Sequence, residues 1–173
     1  MSASRLDGSV VFSDLVGFTE FNGARGDAAA VEVLDRHRAL MDGALAGHDG
    51  ARVVKELGDG LLVWCPNADD ALHVVTDFLG RMSVARGAGE FPLAARLGVH
   101  HGPVSERGDD LVGQTVNIAA RIVDLAGPSE ILLSDAVLAA SGDAADLAYH
   151  AVGPVTVKGV ADAVWLYRID GAV

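Results

Sequence analysis

Two β-rich runs, Arg52 to Leu57 and Leu61 to Cys65, stand on either side of Gly58-Asp59-Gly60. An Asp-Gly between such runs is a strong hairpin signal, so the sequence predicts an antiparallel pair with Asp59 at its tip. Helical periodicity flanks this hairpin. Val31, Leu34, Arg38 and Leu45 set a helical repeat through Ala28 to Ala46. After the hairpin, Asn67 or Asp69 caps a second helix through Leu72, Val75, Phe78, Leu79 and Met82, broken at Gly87-Ala88-Gly89.

Further elements follow from the same reading. Val10, Val11 and Phe12 form a buried strand that delivers Ser13 and Asp14 at its C-terminal edge. Ala95 to His101 is a strand, and the polar stretch 103–112 is a loop or projecting hairpin. A helix over Thr115 to Ala126 stops at Gly127-Pro128. Ile131 to Leu133 is a short strand, a short helix follows Ser134, and late strands cover Val152 to Val157 and Val164 to Ile169. The order β-α-ββ-α-β, then α-β-α-β-β, mixes hairpins with helical crossovers. It predicts an α+β fold: a ferredoxin-like βαββαβ core extended by further α and β elements, with helices on one face. With no repeat, low-complexity tract or linker, residues 1–173 read as a single domain, with no room ahead of the first strand for a sensor domain.

Charge narrows the partners. The chain carries 24 acidic against 13 basic residues, a net −11, which speaks against nucleic-acid or anionic-membrane binding driven by bulk charge. A polyanionic ligand needs a locally built positive pocket. Eleven of the basic residues are arginine, and only Lys55 and Lys158 are lysine. The lone Cys65 permits no internal disulfide, the N-terminus lacks an apolar signal core, and no run approaches a membrane span. The expectation is a reduced, cytoplasmic, soluble protein.

Three segments carry candidate chemistry. In Phe12 to Thr19 (FSDLVGFT), a strand ends in a carboxylate and a glycine turn opens a helix. Asp14 can hold Mg²⁺ or Mn²⁺ while free N–H groups at the helix start cradle phosphate, and the same residues equally fit an aspartate that caps a helix. In Lys55 to Gly60 (KELGDG), Asp59 converges with Asp14 if the hairpin lies beside the first strand, as a two-metal site requires; taken singly, Asp59 reads more simply as a turn residue. In Asp110 to Arg121 (DLVGQTVNIAAR), Asn117, Arg121 and Asp124 share one polar stripe of an apolar helix. A solvated stripe is the plain alternative, but this one presents an amide and a guanidinium, and Ala119 and Ala120 suggest close approach of another element.

These three segments, together with RLGVHHG at Arg96 to Gly102 and the late VKG at Val157 to Gly159, resemble in order and spacing the catalytic domain of class III adenylate/guanylate cyclases. The resemblance runs from about Val10 to Ile169. It implies the class III nucleotidyl cyclase fold and makes Asp14 and Asp59 the ligands of two divalent ions, Mg²⁺ or Mn²⁺, per active site. Lys55 and Asp110 match the pair that reads adenine; guanine-selective relatives place Glu and a small residue such as Cys there. Counting back seven from Asn117 selects Asp110 over its neighbour Asp109. Asn117 is implied to orient the ribose, Arg121 to stabilise the transferring α-phosphate, and Arg96 and Lys158 to hold the β/γ-phosphates. The backbone of Leu15, Val16, Gly17, Phe18 and Thr19 is implied to cover the triphosphate.

The activity so implied is ATP to cyclic AMP and pyrophosphate, in a homodimer whose two sites each draw residues from both copies. Alternatives are a guanylate or dual-purine cyclase, and a silent nucleotide-binding module, which usually lacks a metal aspartate or the helix arginine. A palm-type diguanylate cyclase or polymerase is remote, because the turn reads Leu57-Gly58-Asp59-Gly60-Leu61 rather than GG(D/E)EF. His100 and His101, adjacent on a strand, point to opposite faces and do not form a metal site. Cys65 is expected to be a small buried hydrophobe, Trp64 and Trp165 core or interface residues, and Asp69-Asp70 to sit in a first helical turn.

Overall fold

A computed structural model describes residues 4–170. Their strands are β1 (Arg5–Leu15), β2 (Arg52–Leu57), β3 (Gly60–Cys65), β4 (Ala95–Arg107), β5 (Asp110–Val112), β6 (Ile131–Ser134), β7 (Tyr149–Val155) and β8 (Val164–Ile169). The helices are α1 (Phe18–Arg25), α2 (Asp27–Leu45), α3 (Ala68–Gly87), α4 (Gln114–Leu125) and α5 (Asp135–Ala140). One mixed sheet runs β2-β3-β1-β4-β6-β8-β7, with β5 paired to the outer end of β4. The α+β class and the βαββαβ core expected from the sequence are present. Among the described residues, no helix is long and apolar enough to cross a membrane.

β1 and β4 are longer than the apolar runs that announced them, because Arg5, Leu6 and Asp7 pair with Ser105, Val104 and Pro103. Ladder bonds satisfy these backbones while the side chains stay partly wet, so strand continues where the hydrophobic signal has faded. The 103–112 stretch is the projecting hairpin, closed by Arg107 pairing with Asp110. The first helical region is two helices broken at Gly26, whose φ of 84° ends α1 and starts α2. Asn67 caps α3, accepting from the Asp70 backbone N–H at 2.8 Å.

Helices cover both faces of the sheet, which corrects the one-face expectation. Successive strand residues point to opposite sides. Val11, Val63, Leu97 and Val99 join Met41 of α2 and Leu72 and Phe78 of α3 in the larger core. Val10, Phe12, Leu62 and Trp64 face the other way and pack on Ala119 and Val123 of α4. Gly98 permits this second layer: a Cβ there would lie 2.4 Å from the Val123 backbone nitrogen, so α4 rests almost on the strand. The small residues of α4 do mark a close approach.

Below the larger core lies a buried polar contact. His37 of α2, 1% exposed, is 3.1 Å through Nε2 from Ser13 Oγ and packs its ring on Phe78. Burial lowers its pKa to about 4, against a smaller opposing pull from Asp14.

Two predictions follow from packing and burial. Gly98→Ala should lower unfolding free energy by about 1–3 kcal/mol through overpacking, read from urea midpoints; wild-type stability would show that α4 sits looser than this. For His37, the folded-state pKa is depressed, so the unfolded chain takes up the proton first as pH falls below about 6.5, and stability is lost until pH reaches about 4. Between pH 7 and 5 this group should cost about 2 kcal/mol. His37→Gln should flatten that part of the pH–stability curve, and an unchanged slope would show that His37 is not its source.

Candidate active site

The ladders around β1 assemble the first cluster. Asp14 is opposite Arg96 of β4, while Ser13 is opposite Leu61 of β3, so Asp14 emerges beside the β2–β3 turn that carries Asp59. Gly60 lets the turn approach β1 closely: a Cβ on it would lie 3.0 Å from the Ser13 carbonyl oxygen and 3.8 Å from Asp14 Oδ1. Burial, and then the charge of Asp14, push the Asp59 carboxyl above the ordinary aspartate range. Arg96 closes the cluster, donating through Nε at 2.9 Å and Nη2 at 2.7 Å to Asp14 Oδ2. A carboxylate raised by a neighbouring carboxylate's charge belongs to a donor set that a divalent cation relieves, and hard oxygen ligands suit Mg²⁺ or Mn²⁺. Asp14 and Asp59 therefore fit the metal-holding role.

The second cluster lies between the edge strand and the β4–β5 arm. Lys55 Nζ donates to Asp110 Oδ2 at 2.6 Å, and Asp110 Oδ1 accepts from the Leu111 N–H at 2.8 Å. The Lys55 hydrogen bond holds the Asp110 carboxyl below its usual range. Asp110 rather than Asp109 is thus the residue that meets Lys55, in agreement with the count along the sequence. A parallel link, Arg52 Nη2 to Glu106 Oε1 at 3.1 Å, ties the same arm to the same strand.

The remaining candidates face solvent. Thr115, Ile118, Ala119, Ile122 and Val123 bury one side of α4, leaving Asn117, Arg121 and Asp124 exposed on the other. Arg121, 64% exposed, lies 3.9 Å from the Asp124 carboxylate. The Asp124 backbone carbonyl accepts from Arg96 Nη1 at 3.2 Å, which joins the end of α4 to the Asp14 cluster. Exposed Lys158 follows β7, and its neighbour Gly159 accepts from Gln114 Nε2 at 2.9 Å, so the Lys158 turn is moored to the start of α4. At the Asp14 end of β1, Leu15 ends the strand, Val16 donates to the Ala94 carbonyl at 2.8 Å, and Gly17 at φ 77° opens α1. No side chain caps Gly17, which leaves the N–H groups of Phe18 and Thr19 available to an anion.

One chain therefore gathers Asp14, Asp59 and Arg96 in one place and Lys55 with Asp110 in another. Asn117 and Arg121 lie on an outward helix face, and Lys158 lies in a neighbouring turn. The Asp14–Arg96 contact was not legible beforehand; only the β1–β4 register brings residues 82 positions apart into contact. His100 and His101 serve opposite faces: His100 Nδ1 is 2.7 Å from Ser134 Oγ, and His101 Nδ1 is 3.0 Å from Ser9 Oγ. Cys65 is fully buried with its thiol pushed up to about 12 by burial, and Trp64 is core, whereas Trp165 is largely exposed on β8.

The family model of the adenylate and guanylate cyclase catalytic domain matches residues 3–171. A pH-sensitive adenylate cyclase of Mycobacterium tuberculosis is 30% identical over 166 residues, covering 93% of this chain and 40% of that protein. An adenylate cyclase of Streptomyces coelicolor is 30% identical over 131 residues, covering 76% of this chain and 33% of its own length. The chain thus spans well under half of these relatives. Among solved structures, the adenylyl cyclase CyaB from P. aeruginosa superposes with a TM-score of 0.83 at 24% identity, covering 98% of this chain and 96% of its own. The guanylyl cyclase Cya2 does so with a TM-score of 0.79 at 27% identity, covering 98% and 94%. With the fold, the motif residues and a match over nearly its whole length in agreement, the chain belongs to the class III adenylate and guanylate cyclase catalytic domains.

Proposed function

We propose that this cyclase domain is an adenylate cyclase, converting ATP to 3′,5′-cyclic AMP and pyrophosphate. The observation that carries the choice of base is the Lys55–Asp110 pair at 2.6 Å. A donor beside an acceptor complements adenine, which offers N1 as acceptor and the 6-amino group as donor. Guanine reverses that order along the same edge, so its N1–H would face the ammonium and its O6 the carboxylate.

The 3′-oxygen of the ribose attacks the α-phosphorus as pyrophosphate leaves on the opposite side. Asp14 and Asp59 would hold divalent ions, which when bound would supply Lewis-acid activation of the 3′-hydroxyl and neutralise phosphate charge. Asn117 orients the ribose by its amide. Arg121 stabilises negative charge developing on the α-phosphoryl oxygens, while Lys158 and Arg96 hold the β- and γ-phosphates. The backbone from Leu15 to Thr19 covers the triphosphate with its N–H groups. No side chain of the two clusters serves as general base, and the 3′-hydroxyl proton passes to water or to a phosphate oxygen of the substrate.

The functional unit is a homodimer. Asn117 and Arg121 project outward from α4 in each chain, which suits a role in completing the site of a second copy, and two-fold symmetry then generates two such sites. The chain's partners are ATP and its own copy, in the cytoplasm, with no nucleic acid or membrane involved.

Purified protein supplied with Mn²⁺ and either ATP or GTP should form cyclic AMP in preference to cyclic GMP, with Asp14→Ala silent; no cyclic product from wild type would overturn the enzyme reading. Lys55→Glu combined with Asp110→Cys should move the ATP/GTP ratio of kcat/KM toward GTP by about tenfold or more. A ratio that does not change means these residues do not read the base. Mixing Asp59→Ala with Arg121→Ala, each inactive alone, should restore about a quarter of wild-type activity, since half the dimers are mixed and each has one intact site. If subunits exchange and the mixture stays silent, each site is built within one chain.

A further inference from the structure

Arg96 grips Asp14. The two residues face each other across the β1–β4 ladder, and two guanidinium nitrogens converge on the single oxygen Oδ2 at 2.9 and 2.7 Å. A third nitrogen donates to the Asp124 carbonyl at 3.2 Å, which fixes the guanidinium plane against the end of α4. The pair is about a quarter exposed, 26% and 24%, well below the one-turn helical pairs Arg38–Asp42 and Arg81–Asp77. Such a two-pronged, charge-assisted contact is stronger and less screened than a surface ion pair.

We propose that Arg96 is a built-in counter-cation for the metal carboxylates: it occupies Asp14 in the nucleotide-free chain and keeps free divalent ions weakly bound until a triphosphate draws it away. The proposal rests on the reading of Asp14 and Asp59 as the metal pair. With Oδ2 engaged by two N–H groups, Asp14 offers an incoming ion fewer lone pairs, and the adjacent guanidinium repels it. The guanidinium leaves without loss only when another anion replaces the carboxylate, and the triphosphate that Arg96 is assigned to hold is such an anion. Metal and nucleotide then load cooperatively, and the coupling is reciprocal: each tightens the other by the same factor. Arg96 thus has two alternating partners, a carboxylate in the free chain and phosphate in the loaded one.

The test is a Mn²⁺ titration of the full chain without nucleotide, followed by the EPR signal of the free ion, with circular dichroism to confirm folding. Arg96→Gln should bind Mn²⁺ about tenfold more tightly than wild type, because it removes the competing charge. Arg96→Lys, which keeps the charge but loses the two-pronged grip, should fall between the two and carries the test alone if the glutamine variant does not fold. Affinity equal to or weaker than wild type in the folded Arg96 variants overturns the proposal, while weaker binding by Asp14→Asn in that case leaves the metal pair standing. If Arg96→Gln binds more tightly and adding Asp14→Asn does not abolish the gain, the ion is held elsewhere, and both the proposal and the metal assignment fail.

Discussion

The antiparallel ladder between β1 and β4 runs for eleven residue pairs, from Arg5–Ser105 to Leu15–Ala95, and the rest of the molecule is arranged around it. A strand buried on both faces must be apolar on both, and the Val10-Val11-Phe12 run meets that demand by feeding two different cores. The same ladder sets the site. Once Val11 is opposite Val99, Asp14 falls opposite Arg96 and on the face that α4 covers. A one-residue slip would turn Asp14 toward α2 and α3 and exchange the side chains that feed the two cores.

Close packing transmits this order to the outward side of α4. Gly98 lets the helix backbone settle against the strand, Ala119 and Val123 fill the contact, and Asn117 and Arg121 are thereby held on the opposite side. Such rigidity suits the roles proposed for Asn117 and Arg121, since groups that stabilise a transition state act best when held in place beforehand. The arm built from the end of β4 and from β5 works in the same manner on Asp110. Its ion pairs to Arg52 and Lys55 join it to an edge strand that is not its neighbour in the sheet.

The electrostatics of the chain take their sense from these positions. At a net charge of −11 the protein has no bulk attraction for a polyanion, so a nucleotide-binding region must be positive locally. Both lysines of the sequence fall at candidate positions, Lys55 in the pair with Asp110 and Lys158 in the turn moored to α4. A compact ammonium on a flexible stem is not equivalent to a planar guanidinium, which gives a reason for lysine at these places in a chain that elsewhere uses arginine.

The sequence by itself determined the element types, the hairpin around Asp59 and the α4 stripe, while its resemblance to the cyclase catalytic domains, running along nearly the whole chain, supplied Lys55, Arg96, Asp110 and Lys158 as candidates. The former are local: alternation, helical period and turn chemistry are properties of short stretches of chain. The strand ends beyond the apolar runs, the division of helices between two faces, and the break at Gly26 were decided by tertiary structure, because ladder pairing and burial override a fading local pattern. The grip of Arg96 on Asp14 and the burial of His37 against Ser13 belong to that second kind. They join residues 82 and 24 positions apart, and only the register of a closed sheet with helices packed on it specifies which of many charged or polar groups will meet.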